Sequence, residues 1–217
     1  MSLQTAEQFE ENEQYSEAYE EYKKLHERNP KDLSVLERLG HLSMLLDNKE
    51  DAAKYYSQIL ESDATNVLAY EQLMDIYVST DKYKYYVYRG NLHSVEHKLE
   101  HAINDYKKAI NATQEDKEIL SARFVLATLY EQTGQNMKAI DEYLKVIEHD
   151  ETHEEVFLKL AKDENSINRH YVASNPNVPA EILAFLAKDD EWRVRYAVAR
   201  NENTPKEALA VLANDID

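Results

Sequence analysis

The sequence predicts an all-α protein, a right-handed solenoid of stacked helix pairs continued by shorter repeats at its C-terminal end. Three observations carry this expectation. Of 217 residues only three are Gly and four are Pro, where average usage would give roughly 15 and 11, so an all-β fold lacks turn residues for its hairpins. A pattern of four positions with fixed internal spacing recurs four times between residues 6 and 146. A different repeat, with a 26-residue period, occupies the rest of the chain.

The first repeat is a small residue, Ala twelve positions later, Tyr four after that and an apolar residue three further on. Its copies are Ala6/Ala18/Tyr22/Leu25, Gly40/Ala52/Tyr56/Ile59, Gly90/Ala102/Tyr106/Ala109 and Ala127/Ala139/Tyr143/Val146. The copies are 34, 50 and 37 residues apart, that is, 34, 34 + 16 and 34 + 3. Spacings of four and three put Ala, Tyr and the apolar residue on one stripe of a helix. The small residue falls on the helix before. Small side chains at both places let two antiparallel helices approach closely, with Tyr and the aliphatic residue filling space against the next pair. A lone pair cannot bury both faces, so the pairs stack. In chain order, the first leading helix is short and starts near Leu3. Residues 67–82 form an extra helix wedged between the second and third units, with Val67, Tyr70, Leu73, Ile76 and Tyr77 on one face and no partner helix of its own. The three-residue insertion lies near 116–119. After Glu154 comes one more leading helix, with Phe157, Leu160 and Ala161, whose usual partner is missing.

The 34-residue unit, the Leu39-Gly40 step, Ala52, Tyr56 and the closing Pro30 resemble the tetratricopeptide repeat (TPR) family over residues 1–153. The resemblance implies that leading helices line a concave groove for an extended or helical peptide. By register its groove positions are Glu37, His41, Met44, Lys84, Tyr88, Asn91, Phe124, Thr128 and Glu131. Relatives that grip a chaperone's C-terminal carboxylate use a Lys/Asn/Lys/Arg clamp. Only Lys84 and Asn91 resemble parts of it, both in one repeat, so that ligand is not expected.

Beyond this, Leu160-Ala161-Lys162-Asp163 returns as Leu186-Ala187-Lys188-Asp189 and as Leu212-Ala213-Asn214-Asp215. Asn175-Pro176-Asn177-Val178-Pro179 returns as Asn201-Glu202-Asn203-Thr204-Pro205. Pro179 and Pro205 suit the first turn of a helix, where no backbone N–H is needed. They open helices over 179–187 and 205–213, with a second short helix over 192–200. With Val194-Arg195-Tyr196-Ala197-Val198-Ala199, these words resemble the leucine-rich repeat variant family over residues 154–217. The resemblance implies units that stack an α-helix on a 3₁₀-helix. The iron–sulfur segment of some relatives does not carry over, because the chain has no Cys. The variant repeats add Arg169, Arg193, Arg195 and Arg200, a second basic face for an acidic partner.

Composition narrows the chemistry. Without Cys there are no disulfides, thiolate zinc sites or Cys nucleophiles, which is compatible with a cytoplasmic, reducing setting. The net charge, 25 − 42 = −17, repels nucleic acid and anionic lipid. The apolar run 182–187, a length that no other run exceeds, is far short of the ~20 residues of a membrane span. Three glycines cannot write a phosphate-cradling loop, and no cofactor is expected. Residues 81–110 carry +2, against −10 over 1–80 and −9 over 111–217, and hold Tyr83, Tyr85, Tyr86 and Tyr88 beside Lys82, Lys84 and Arg89. Such mixtures mark interaction hot spots. His93, His97 and His101 stand at i, i+4 and i+8, a spacing that on one helix holds zinc or nickel. The repeat register divides them among a leading helix, a turn and the next helix, so no metal site is expected. His149 and His153 straddle a turn between repeats. Asp189, Asp190 and Glu191 are expected in a solvated turn before a helix start. The expected function is non-catalytic binding of a protein or peptide on the concave face. A secretion- or assembly-type chaperone is the alternative within that class. A metal-binding or enzymatic module on His93/His97/His101 and self-association through the solenoid ends are alternatives outside it.

Overall fold

The structure, a computed structural model, describes residues 3–149 and 154–213, apart from the side chains of residues 148 and 149. The third Leu-Ala-x-Asp close, at Asn214 and Asp215, and the His149/His153 pair of side chains lie outside the described residues. Every regular element among those described is an α-helix, and the chain forms two compact units, 1–113 and 114–217.

The first unit holds α1 (Leu3–Glu11), α2 (Tyr15–Arg28), α3 (Leu33–Leu45), α4 (Lys49–Ser62), α5 (Val67–Tyr77), α6 (Lys82–Val95) and α7 (Leu99–Ala112). Each packs on its neighbours in the chain, the organisation of an α-solenoid. Polar side chains set several starts: Asp32, Asn48, Asn66 and Asp81 each accept from a first-turn N–H, at about 1 kcal/mol apiece.

The pairs have the expected register with one change in who meets whom. The repeat Tyr lies on the small residue of its own pair rather than reaching only for the next. A Cβ on Gly40 would come within 2.8 Å of the Tyr56 ring, and one on Gly90 within 2.9 Å of the Tyr106 ring. The reason is room: the missing side chain leaves a slot that the ring fills. Ala6, Ala18, Ala52, Ala102, Ala127 and Ala139 are all fully buried. Tyr22 and Tyr106 hydrogen-bond the leading helix through their phenols, Tyr22 donating to Glu10 at 3.2 Å and Tyr106 to the Asn91 carbonyl oxygen.

The extra helix differs from expectation. It stops at Tyr77, where the Thr80 hydroxyl bonds the Ile76 carbonyl and Asp81 caps the next helix. It also has a partner. Helix α6 packs on both α5 and α7: its Tyr88 stacks on Tyr77 of α5, centroids 5.8 Å apart, while its Gly90 receives Tyr106 of α7.

The second unit holds α8 (Asp116–Gln132), α9 (Asn136–His149), α10 (Glu154–Ala161), α11 (Ser166–Ser174), α12 (Ala180–Leu186), α13 (Trp192–Arg200) and α14 (Lys206–Leu212). The insertion lengthens α8 to 17 residues, against 13 in α3 and 14 in α6. The 3₁₀-helices implied by the variant family are absent among the described residues. Bonds of i→i−3 type survive in first turns, where the Val194 and Arg195 N–H groups share the Glu191 carbonyl at 3.0 and 3.3 Å, and the chain then continues as α-helix. Pro179 and Pro205 occupy N-caps with ψ of 142° and 150°, one position before the first turn.

Two side-chain ladders tie the variant repeats together. The Asn201 amide donates to the Ala173 carbonyl at 2.9 Å, and the Asn175 amide donates to the Ile147 carbonyl at 3.1 Å, 28 residues back in both cases. Ile147 belongs to α9, so that helix ends one repeat type and starts the other. Arg169 donates Nη1 to the carbonyls of Asp163 and Glu164, and Arg195, 26 residues on, donates Nη1 to those of Asp189 and Asp190.

The loops closing α1, α3, α6 and α8 are one motif. Glu13, Asp47, His97 and Gly134 are left-handed, with φ of 58°, 56°, 58° and 73°. Each donates its N–H to the carbonyl three residues back, at 2.9–3.1 Å, and the next residue donates to the carbonyl five back, at 2.8–2.9 Å. This double closure is the Schellman cap.

Candidate functional site

In the second unit, α8 presents Phe124, Thr128 and Glu131 along one face, at i, i+4 and i+7. Tyr143 of α9 and Glu155, Val156 and Lys159 of α10 complete an open cleft of about 180 Å³. Its floor is aromatic, with Phe124 edge-on to Tyr143 at 5.9 Å. Its rim is charged. The Tyr143 hydroxyl donates to Glu131 at 3.0 Å, and Lys159 Nζ lies 2.5 Å from the same carboxylate and 4.9 Å from the Tyr143 ring centroid. Burial works to lower the Lys159 pKa, but the Glu131 bond and the facing oxygens outweigh it and raise the group above its ordinary value. The leading helix expected after Glu154 without its usual partner is α10; it packs on α11 of the variant repeats, and it forms the third wall. Lys159 was not among the expected positions. Its register, immediately before the Leu160-Ala161 close, carried no signal for it.

In the first unit, Lys84, Tyr88 and Asn91 lie on α6 and Glu37, His41 and Met44 on α3. Lys84 Nζ stands 4.9 Å from the Tyr77 ring, which stacks on Tyr88, and Tyr70 approaches Tyr88 at 6.5 Å. Burial raises the Tyr70 and Tyr77 phenols. Tyr88 and Met44 pack against the core of this unit, while Glu37 and His41 are exposed. Burial and then the charge of Glu37 push Tyr56 up to about 12. Asn91 is committed to Tyr106.

The histidines fall as the register requires: His93 in α6, His97 in the left-handed turn and His101 in α7. His93 Nδ1 lies 2.9 Å from Asp105, and its ring centroid is 5.3 Å from that of His101. Asp105 is buried and also takes Nε and Nη2 of Arg89. Among the described residues no three His, Asp or Glu side chains are arranged to hold a metal. This Arg89–Asp105–His93 network escaped the sequence reading, although Arg89 and His93 at i, i+4 opposite an acid on the next helix was a usable signal. Tyr85 and Tyr86 of the aromatic segment flank Arg89 at 5.0 and 5.1 Å.

The four arginines of the variant repeats divide. Arg169 has a side chain only 12% exposed and forks onto Asp189 at 2.7 and 2.9 Å. Arg195 reaches back to carbonyls in the same way. Arg193 is exposed, 4.8 Å from the Trp192 ring centroid and paired with Glu191, and Arg200 lies over Tyr196. Asp189 is therefore not a solvated turn residue. Burial alone would raise its carboxyl, but the bonds from Arg169 and the Glu191 N–H hold it below the usual carboxylate range.

No helix among the described residues is long and apolar enough to cross a membrane. The tetratricopeptide repeat family model matches residues 33–66 and 120–153, and the leucine rich repeat variant model matches residues 192–217. No curated protein matches the chain. Similar solved structures include the C-terminal part of a TPR repeat-containing protein from Cytophaga hutchinsonii, at 18% identity over 97% of this chain and 99% of that one, with a TM-score of 0.45. A crystal structure of MamA is 17% identical over 99% and 97%, with a TM-score of 0.32. A thermophilic TPR protein from Thermus thermophilus is 17% identical over 72% and 94%, with a TM-score of 0.35. With every score below 0.5, fold and site rest on this chain's own residues. The chain carries tetratricopeptide repeats at residues 33–66 and 120–153 and a leucine-rich repeat variant unit at residues 192–217.

Proposed function

We propose that the protein is a non-catalytic scaffold that binds a peptide segment of a partner protein on its leading-helix faces. The observation that carries this is the α8–α9–α10 cleft, where Phe124, Thr128 and Glu131 line one open, aromatic-floored, charge-rimmed space. A rigid helical wall offers pre-ordered side chains, so the scaffold loses little entropy on binding. The Lys84–Tyr77–Tyr88 stack in the first unit supplies a second aromatic contact of the hot-spot type. Binding rather than catalysis is supported by how acids and bases are used: Asp105 is spent on Arg89 and His93, Asp189 on Arg169 and Glu142 on Arg123. The same reading has the protein working in the cytoplasm, in keeping with a chain that has no Cys.

Selection of random linear peptides on the purified chain tests the proposal. Selected peptides are expected to lose about tenfold or more in affinity, roughly 1.4 kcal/mol, when Phe124 becomes Ala. Tyr88→Ala reports separately on the first unit. If no peptide is selected, or if those selected are indifferent to both substitutions, the scaffold reading fails.

A further inference from the structure

We infer that the α8–α9–α10 cleft is a cation cage: it takes a lysine or arginine side chain of the partner, and Lys159 occupies it as a resident stand-in that the ligand displaces. The inference rests on the scaffold reading above and names the chemistry of its ligand.

Three features support it. The lining carries two carboxylates, Glu131 and Glu155, against one ammonium, Lys159, in a unit that has a net charge of −9 (12 basic and 21 acidic residues over 114–217). The aromatic floor presents Tyr143 at the distance a cation prefers. Lys159 Nζ already lies 4.9 Å from that ring, bonded to Glu131 at 2.5 Å and near the Tyr143 hydroxyl at 3.3 Å. The cleft thus holds an ammonium in an acid-and-aromatic setting, the arrangement that recognises cationic side chains. Finally, the resident pair is exchangeable. The Lys159 and Glu131 side chains are 47% and 32% exposed, and ion pairs this open contribute little. An incoming guanidinium adds what Lys159 does not have, a planar fork that pairs with a carboxylate through two bonds and stacks on an aromatic face. An anionic ligand would instead have to separate Lys159 from Glu131 and then face both carboxylates.

The test uses the full chain and small probes: N-acetyl-arginine methylamide, N-acetyl-lysine methylamide, the neutral citrulline counterpart and N-acetyl-glutamate methylamide, titrated while the Phe124 and Tyr143 resonances are followed. Saturable shifts from the two cations, and none from citrulline or glutamate, are expected. Lys159→Met should tighten the arginine probe by about two- to fivefold, the range set by removing a half-exposed ion pair, and Glu131→Gln should abolish its shifts. Equal shifts from citrulline, binding of the glutamate probe, weaker arginine binding in Lys159→Met or no cation-dependent shift at all would each overturn the cage. Failure here is separable from failure of the scaffold. Selected peptides that need Phe124 but no lysine or arginine would leave the scaffold standing without the cage. Arginine-probe binding without any selected peptide would do the reverse.

Discussion

The four Schellman turns allow backbone strain to be measured with side-chain contacts held apart. Gly134 supplies the reference. A Cβ there would meet nothing within 4 Å, so Gly134→Ala changes only conformational preference. Holding an L-residue in the left-handed region costs about 1–2 kcal/mol. Removing glycine's extra freedom from the unfolded chain returns roughly 0.5–1 kcal/mol. The net expectation is a loss of about 1 kcal/mol. The reverse substitutions should gain by the same reasoning. Glu13, at φ 58°, should gain about 0.5–1 kcal/mol as Glu13→Gly. Asp47 and His97 belong to residue types that tolerate this region better, so Asp47→Gly and His97→Gly should gain less. Urea unfolding followed by circular dichroism reads each effect as a shift in midpoint at constant slope. A neutral Gly134→Ala, or a destabilising Glu13→Gly, would show that these turns are not held in the left-handed region and would refute the argument.

Three further substitutions probe packing. The side-chain amide nitrogen of Asn168 is buried without a partner, and the residue one repeat on is the buried Val194, so Asn168→Val should raise stability by about 1–2 kcal/mol; an unchanged or lower urea midpoint would count against this. Gly40→Ala gains about 1 kcal/mol of helix propensity but drives a Cβ to 2.8 Å from a buried ring, an overpacking cost of about 1–3 kcal/mol, so a net loss of about 1 kcal/mol is expected in the same assay. The lowered carboxyl of Asp189 contributes stability that is present above the unfolded-state value of about 3.9 and lost as pH falls through the lower folded value. Asp189→Asn should therefore lower stability at pH 7, by about 2 kcal/mol since Arg169 keeps other acceptors, and flatten the loss below about pH 4; parallel pH profiles for the two proteins would exclude the mechanism.

The helical register was legible because it rests on side-chain volume. Gly40 and Gly90 must be small wherever a tyrosine ring lies on them, and that requirement shows as a fixed spacing in the sequence. The α8 face that carries Phe124, Thr128 and Glu131 was legible for the same reason, since its positions follow from the register of Ala127 and Ala139. What was not legible depends on chain geometry rather than volume. Glu13, Asp47 and His97 adopt a conformation that usually announces itself as glycine, and only Gly134 does so. Lys159 reaches Glu131 across 28 residues, a contact that no local periodicity encodes. Arg169 looked like a surface cation because the sequence does not show that a carbonyl pair and Asp189 surround it.

Two helices explain how units of different length join in one chain. A helix in a regular pair offers one face to its partner and one to the next pair, so each junction normally costs a whole pair. Helix α6 gives Tyr88 to the added helix α5 and Gly90 to its own partner α7, so a single added helix enters the first unit between α4 and α6. Helix α9 does the same with backbone. Near a helix C-terminus the last carbonyls lack intrahelical donors, and the Ile147 carbonyl is met by the Asn175 amide. Asn201 repeats that bond on Ala173, so α9 presents to the first variant repeat what α11 presents to the second. On that reasoning Asn175 gives the junction the same bond that Asn201 makes one repeat on, beside the apolar contacts of Val156, Phe157 and Leu160.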